Sequence, residues 1–213
     1  MLCPLAISFA EGCKTKELTD PIFGPDYSPT NVFRKWPVLP AELRRVAVLP
    51  LSYNELDASA PSGEQTLEPM LQAELTKTAR FESIFVKPSQ MQLWTGKERW
   101  NSSDELPPDM LKVLTQKTGC DGVLFIRLSQ YRAYPPILTG WQMKLVTKEA
   151  DILWAVDELF DAAEERVSNS ARRFDRGRVR NNPALEDSRS ILLSPTKFGQ
   201  YTLHAVFQTL PAR

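Results

Sequence analysis

The chain has 213 residues, 42% of them hydrophobic, enough to bury one substantial core as a single domain with a tail. Lysine plus arginine and aspartate plus glutamate both total 26, and this balance leaves no global field that would recruit nucleic acid or a charged membrane. There is one histidine and no GxGxxG or GxxxxGKS phosphate cradle, so His-based catalysis would rest on a single residue and a glycine-rich nucleotide site is excluded.

In chain order, the first informative stretch is SFAEGCKTKEL, Ser8 to Leu18. An apolar run ending in small residues (Ala10, Gly12) and a cysteine, with lysines directly after, is the pattern of a bacterial lipoprotein signal, whose cysteine becomes the acylated N-terminus. Cys13 is therefore the expected lipid attachment site, and residues 1–12 read as a truncated signal peptide. The run from Met1 to Ala10 has no Lys or Arg and Glu11 precedes the cleavage point, so the alternative is a cytoplasmic chain with Met1 as its true start. About ten mostly apolar residues are too few to span a bilayer in either case. Residues 13–43, with prolines at Pro21, Pro25, Pro29, Pro37 and Pro40 and no helical or strand period, read as an extended tether. Phe33 and Trp36 lie in it as edge-packing or partner-contacting aromatics.

The folded part, residues 44–213, opens with RRVAVLPL (Arg44 to Leu51), an apolar run of strand length suited to cover on both faces. A polar loop, Ser52 to Gly63, precedes an amphipathic helix marked by Leu67, Leu71 and Leu75, with Met70 beside them. FESIFV (Phe81 to Val86) is the second strand, giving a β-α-β unit with parallel pairing. Pro88 breaks it, Ser89 is the expected cap of a short helix reaching Trp94, and Gly96 to Glu105 is a polar connection. The next helix starts at Pro107 and Pro108, carries Met110, Leu111 and Leu114, and stops at Gly119. GVLFIRL (Gly122 to Leu128) is the third strand, with Cys120 a small buried hydrophobe before it.

After the turn YRAYPP, LTGWQMKLV alternates Trp141, Met143 and Leu145 with Gln142 and Lys144, and ILWAVDELF (Ile152 to Phe160) follows closely enough to form an antiparallel hairpin. Helices over about Asp161 to Phe174 and Pro195 to Leu210 close the chain, with His204 off the centre of the last apolar stripe. The expected fold is α/β: one domain with a mixed five-stranded sheet, its first and third strands central, ending in an antiparallel hairpin and flanked by helices.

This order of elements resembles the CsgG/LpoB-like superfamily of bacterial envelope lipoproteins, which includes the TolB N-terminal domain. The similar words are VAVLPL (Val46 to Leu51), LEPMLQAELTKTARFESIFV, TGCDGVLFIRL and MKLVTKEADILWAVDELFDA, within about Arg44 to Phe174. The hairpin turn departs from the family: Thr147, Lys148, Glu149, Ala150 and Asp151 contain no glycine. Ile126 also stands where a glycine is common. No paired alternations of about ten residues offer a transmembrane barrel, so the pore of the curli members is not expected.

With this resemblance, the anchor-like cysteine, the proline tether, the compact α/β domain and the lack of a catalytic constellation point to a non-enzymatic, lipid-anchored periplasmic protein at the outer membrane that binds an envelope protein in assembly, cell-wall synthesis or secretion. No cofactor or metal is expected, membrane contact is through the lipid alone, and oligomerisation stays open. The loops Ser52 to Gly63 and Gly96 to Glu105 are the candidate contact surface, with Tyr53, Trp94 and Trp100 as anchors. Two alternatives compete. Asp157, Glu158, Asp161, Glu164 and Glu165 would serve a carboxylate-based hydrolase, although acids at a helix start also meet its dipole. Arg172, Arg173, Arg176 and Arg178, with Arg180, would bind an anionic glycan or nucleic acid, although the first two also suit a helix C-terminus.

Overall fold

A computed structural model describes residues 22, 24, 26–178 and 188–213 of the chain. Its elements are β1 (Val32–Arg34), β2 (Arg45–Val48), β3 (Ser52–Tyr53), α1 (Ala60–Lys77), β4 (Glu82–Phe85), α2 (Pro88–Thr95), α3 (Met110–Thr118), β5 (Gly122–Arg132), β6 (Leu138–Thr147), β7 (Ile152–Asp161), α4 (Glu165–Arg178), a 3-10 turn (Ser188–Leu193) and α5 (Pro195–Phe207). The strands form a seven-stranded mixed sheet in the order β1-β7-β6-β5-β2-β4, with β3 added beside β5. β2 runs parallel to β4 and β5, whereas β5, β6, β7 and β1 alternate antiparallel.

Period-two alternation sorts the apolar side chains onto two faces. Val46, Val48, Leu124, Ile126, Trp141, Met143, Leu145, Trp154 and Val156 face the larger core, where α1 and α5 supply Leu67, Leu71, Leu75, Phe198 and Leu203. Ala47, Leu49, Val123 and Phe125 face a smaller core closed by Met91, Met110, Leu114 and Cys120. Each fully buried leucine contributes about 2 kcal/mol of hydrophobic stabilisation, and β2 and β5 draw on both faces because both are covered. Close approach of α5 to α1 requires Gly199, since a Cβ there would stand 2.1 Å from Leu67 Cδ2.

The α/β mixed sheet flanked by helices is as expected, and β5 lies at its middle with β2 interior beside it. It has seven strands where five were expected, because two short strands come from segments without strand pattern. β3 arises in the polar loop, and β1 in the proline-rich segment. The tether reading therefore fails from residue 26 onward: Val32–Arg34 pairs with β7, Leu39 N–H donates to the Ala212 carbonyl at 2.8 Å, and Ala212 N–H donates to Pro37 O at 2.9 Å. Exposed strand edges capture extended chain whatever its side-chain period. Cys13, the signal reading of residues 1–12 and the tether's first residues, apart from 22 and 24, lie outside the described residues.

Element ends differ for local reasons. β5 continues through Tyr131 and Arg132, which the turn reading had claimed, because both pair with β6. α1 starts at Ala60, so Gly63 is helical. Ser89 is not the α2 cap: Lys87 precedes the helix, and its N–H donates to Gln90 Oε1 at 3.0 Å. α3 begins at Met110, past the two prolines, and ends at Gly119, whose φ of 67° puts it in the left-handed region. β7 retains Asp161, which accepts from Ala163 N–H at 2.8 Å and delays α4 to Glu165.

Candidate functional site

The two loops singled out in the sequence converge. After β2, Ser52 Oγ donates to the Ile126 carbonyl at 3.0 Å and Tyr53 lies opposite Leu128, which holds the first loop against β5. Asn54 then closes a tight turn: its Oδ1 accepts from Leu56 N–H at 3.1 Å and its carbonyl accepts from Asp57 N–H at 3.0 Å. This turn projects Leu56 into solvent, where it is 93% exposed.

The second loop leaves α2 through Gly96, whose φ is 81°. Lys97 Nζ donates to Asp104 Oδ2 at 2.8 Å, and the same oxygen accepts from Asn101 N–H at 3.1 Å. Burial pushes the Asp104 carboxyl up, but the Lys97 and Asn101 hydrogen bonds, with the charges of Lys97 and Arg127, hold it below the ordinary range. Arg99 reaches Glu64 Oε1 at 2.7 and 3.1 Å and stands 5.4 Å from the Tyr53 ring centroid. Burial opposes its charge, but the Glu64 hydrogen bond and charge outweigh burial and push the guanidinium pKa up. The result is a cleft of about 490 Å³ lined by Tyr53, Asn54, Leu56, Lys97, Arg99 and Arg127, among others.

Of the predicted anchors, Tyr53 lines this cleft and is half-buried. Trp100 is not an exposed anchor: it is 8% exposed and its Nε1–H donates to Thr95 Oγ1 at 2.8 Å, folding the indole under α2. Trp94 is half-buried and packs on the smaller core. Sequence reasoning missed Leu56 and Arg127. Their signals were an isolated leucine between Asn54 and Asp57, and one cation inside the apolar run GVLFIRL.

The competing clusters have internal structural uses. Glu158 is buried and accepts from Tyr27 OH, Thr30 N–H and Asn31 N–H, while Asp157 accepts from Gln142 Nε2 at 2.8 Å. Arg173 donates to Asp26 Oδ1 at 2.7 Å and to the Gly24 carbonyl, and Arg172 donates to Ser188 Oγ at 3.1 Å. Arg176 is half-buried on α4, whereas the Arg178 side chain and Arg180 lie outside the described residues. His204 sits at a helix edge, its ring 5.0 Å from Phe174 and its Nδ1 3.8 Å from Glu74 Oε2. Glu74 also accepts from Lys77 and Gln200 at 2.6 and 2.7 Å, so the helical groove of about 520 Å³ around it is crossed by the protein's own polar contacts. Cys120 is buried. Among the described residues, no group of three or more His, Cys, Asp or Glu is placed to hold a metal, and no helix is long and apolar enough to cross a membrane.

No protein-family model and no curated protein matches the sequence. Among solved structures, the chain is similar to the lipoprotein GNA1162 from Neisseria meningitidis, with a TM-score of 0.41 and 19% identity over 55% of this chain and 79% of that one. It is also similar to the PelC dodecamer from Paraburkholderia phytofirmans, with a TM-score of 0.37 and 13% identity over 85% and 98% of the two chains. For the LpoB C-terminal domain from Escherichia coli the TM-score is 0.35, with 16% identity over 55% and 82%.

Proposed function

We propose that this chain is a non-enzymatic protein-binding module of the bacterial envelope, lipid-anchored through Cys13, that engages a partner protein at the two-loop cleft. The observation that carries the reading is Leu56, 93% exposed on a turn fixed by Asn54, beside the Tyr53 ring held under Arg99. A pre-ordered apolar projection next to an aromatic and an arginine is the composition of an interface anchor, because little side-chain entropy remains to be lost on binding. The resemblance of the strand words to envelope lipoproteins supports the compartment, and the apolar run before Cys13 supports the anchor.

Photocrosslinking in intact cells tests the cleft. A benzophenone side chain at Leu56 is expected to give a discrete protein adduct that the same group at Leu193, on the 3-10 turn, does not give. No adduct, or the same adduct from both positions, overturns the cleft. A fatty-acid analogue tests the anchor separately: it should label the wild type and not Cys13→Ala, and equal labelling of both sinks that part. Recognition of an anionic polymer by the arginines of α4 is the weaker reading, since Arg172 and Arg173 bind groups of the chain itself.

A further inference from the structure

Among the described residues, two half-buried cations beside the cleft form no salt bridge, although the charge of Arg127 acts on Asp104 from beyond that distance. Arg127 makes one hydrogen bond, from Nη1 to Gln142 Oε1 at a long 3.4 Å, and Lys144 makes one, from Nζ to the Ser102 carbonyl at 3.3 Å. Among the described residues, neither has a carboxylate within ion-pair distance. Other half-buried arginines do: Arg99 has Glu64, Arg173 has Asp26 and Arg132 has Asp161. Because Arg127 pairs with Gln142 on the neighbouring strand, Lys144 is its diagonal neighbour on the same sheet face, roughly 7–8 Å away between backbone positions. Asp104 offsets Arg127 from beyond salt-bridge distance, and Asp157, opposite Gln142, is the diagonal neighbour of Lys144 on its other side. The two cations are thus compensated only indirectly, and an anion touching both would relieve the remaining repulsion.

The surroundings narrow the anion. Arg127 opens into the two-loop cleft with Leu56 and Tyr53, while Lys144 opens into an adjoining hollow of about 230 Å³ that also carries Phe33, which is 52% exposed. Glu55 and Asp104 border the cleft and Asp157 borders the hollow. These carboxylates repel a polyphosphate chain or an anionic bilayer, but they leave room for a single carboxylate set between Arg127 and Lys144. Leu56 on one side and Phe33 on the other offer apolar seats at the flanks.

We propose that Arg127 and Lys144 receive a single carboxylate from an extended, otherwise apolar segment of the partner protein, whose neighbouring side chains pack against Leu56 and Phe33. This rests on the cleft reading above and specifies the partner's chemistry. Charge-assisted bonds from a partly desolvated guanidinium discriminate strongly between a carboxylate and its amide.

The test uses the full chain and fluorescence anisotropy of a short labelled peptide with one aspartate flanked by leucines, with its counterpart carrying asparagine in place of the aspartate as reference. The aspartate peptide should bind about tenfold or more tightly than the reference, and rising salt should erode the preference. Arg127→Gln with Lys144→Gln should abolish the preference while leaving the far-ultraviolet spectrum and the melting temperature unchanged. Leu56→Asp should weaken both peptides. Equal binding of the two peptides overturns the proposal, as does a preference that survives the double substitution. Displacement of the peptide by inorganic phosphate, or by phosphatidylglycerol vesicles, at matched charge concentration also overturns it, by identifying a general anion or lipid site. If Leu56 still crosslinks a cellular protein when the peptide preference is absent, the cleft reading stands and only the carboxylate assignment falls. Loss of both removes both.

Discussion

The Tyr27 hydroxyl donates to Glu158 Oε1 at 2.5 Å across 131 residues of sequence, and the other Glu158 oxygen accepts from Thr30 N–H at 2.7 Å and Asn31 N–H at 3.2 Å. One buried carboxylate on β7 thus gathers the segment that leads into β1, and the Tyr27 ring meets Phe160 edge-on at 5.5 Å. Glu158→Ala would leave these donors without their acceptor and should cost about 2–4 kcal/mol. Limited proteolysis should then cut between Pro29 and Lys35 while the rest of the domain stays resistant. Glu158→Gln, which keeps an acceptor, should cost less. Unchanged cleavage in the alanine variant would show that the strand pairing alone holds β1.

The same latch has an alkaline limit. Burial first, then the Glu158 hydrogen bond and charge, push the Tyr27 hydroxyl well above the ordinary tyrosine range. A pKa raised on folding gives a contribution that is full below the unfolded value of about 10 and is lost as pH rises through the folded value. Protection of β1 should therefore hold from neutrality to about pH 9 and fall only above it, whereas Tyr27→Phe should flatten that alkaline loss. A wild type that sheds β1 between pH 7 and 8 contradicts this assignment.

Two tryptophans pin α5 and the turn that follows it to the sheet by the same device. Trp141 Nε1–H donates to Thr202 Oγ1 at 2.9 Å, and Trp154 Nε1–H donates to Thr209 Oγ1 at 3.0 Å. Each hydroxyl in turn donates a hydrogen bond back along the chain, to the Gly199 and Val206 carbonyls. Thr202→Val conserves volume but leaves a buried indole N–H unpaired, which should cost about 1–3 kcal/mol. Urea denaturation should show it as a lower midpoint at an unchanged slope. A midpoint equal to wild type would show that the indole finds another acceptor.

The interior strands and the amphipathic helix were legible because burial imposes a period: RRVAVLPL and GVLFIRL are apolar on both faces and are covered on both, and Leu67, Leu71 and Leu75 share one stripe. β1 was not legible. Its pairing is decided by the free edge of β7 and by Glu158, more than a hundred residues away, and VFR, set in a proline-rich segment, carries no alternation of its own. For the cleft, the two loops were identified from their polarity, but the anchors within them were not. A tryptophan's size signals burial as readily as contact, and Trp100 went inward with its indole satisfied by Thr95, while Leu56 was turned outward by a two-residue asparagine turn. That Arg127 bonds only Gln142 and forms no salt bridge among the described residues depends on which side chains surround it in space, so it is a property of the folded sheet.

The glycine-free hairpin turn also has a measurable cost. Ala150 takes a φ of 70°, closing the turn through its N–H to the Thr147 carbonyl at 3.0 Å, in a region where a Cβ costs about 1 kcal/mol. Ala150→Gly relieves that strain but adds unfolded-chain entropy, so the net gain should be about 0.5 kcal/mol, a rise of roughly 1–2 °C in melting temperature. Ala150→Val should lower it, since a branched Cβ fits that region worse. A higher melting temperature for valine than for glycine would place the strain elsewhere.

A single carboxylate keeps the second wall of the cleft formed. Asp104 Oδ2 holds both Lys97 Nζ and Asn101 N–H, so one carboxylate closes the loop that carries Lys97 and Arg99 to the cleft, with Lys97 5.0 Å from the Trp100 ring centroid. Asp104 has a folded-state pKa below its ordinary value, so its contribution is full above the unfolded value of about 3.9 and is lost as pH falls through the folded value. Loop order should therefore be constant from pH 8 to about 5 and decline only in stronger acid. Asp104→Asn should remove about 1 kcal/mol after allowance for the exposed lysine, reproducing the acid state at neutral pH. Hydrogen exchange should then speed up over residues 97–104 while β5 and β6 remain protected, because their hydrogen bonds do not involve this carboxylate. The crosslink from Leu56 should weaken in parallel, since a loosened second loop removes one wall of the cleft without moving Leu56 itself. Accelerated exchange with an undiminished crosslink would mean that the first loop binds alone, and unchanged exchange would mean that the Trp100 indole, anchored on Thr95, holds the loop without the carboxylate.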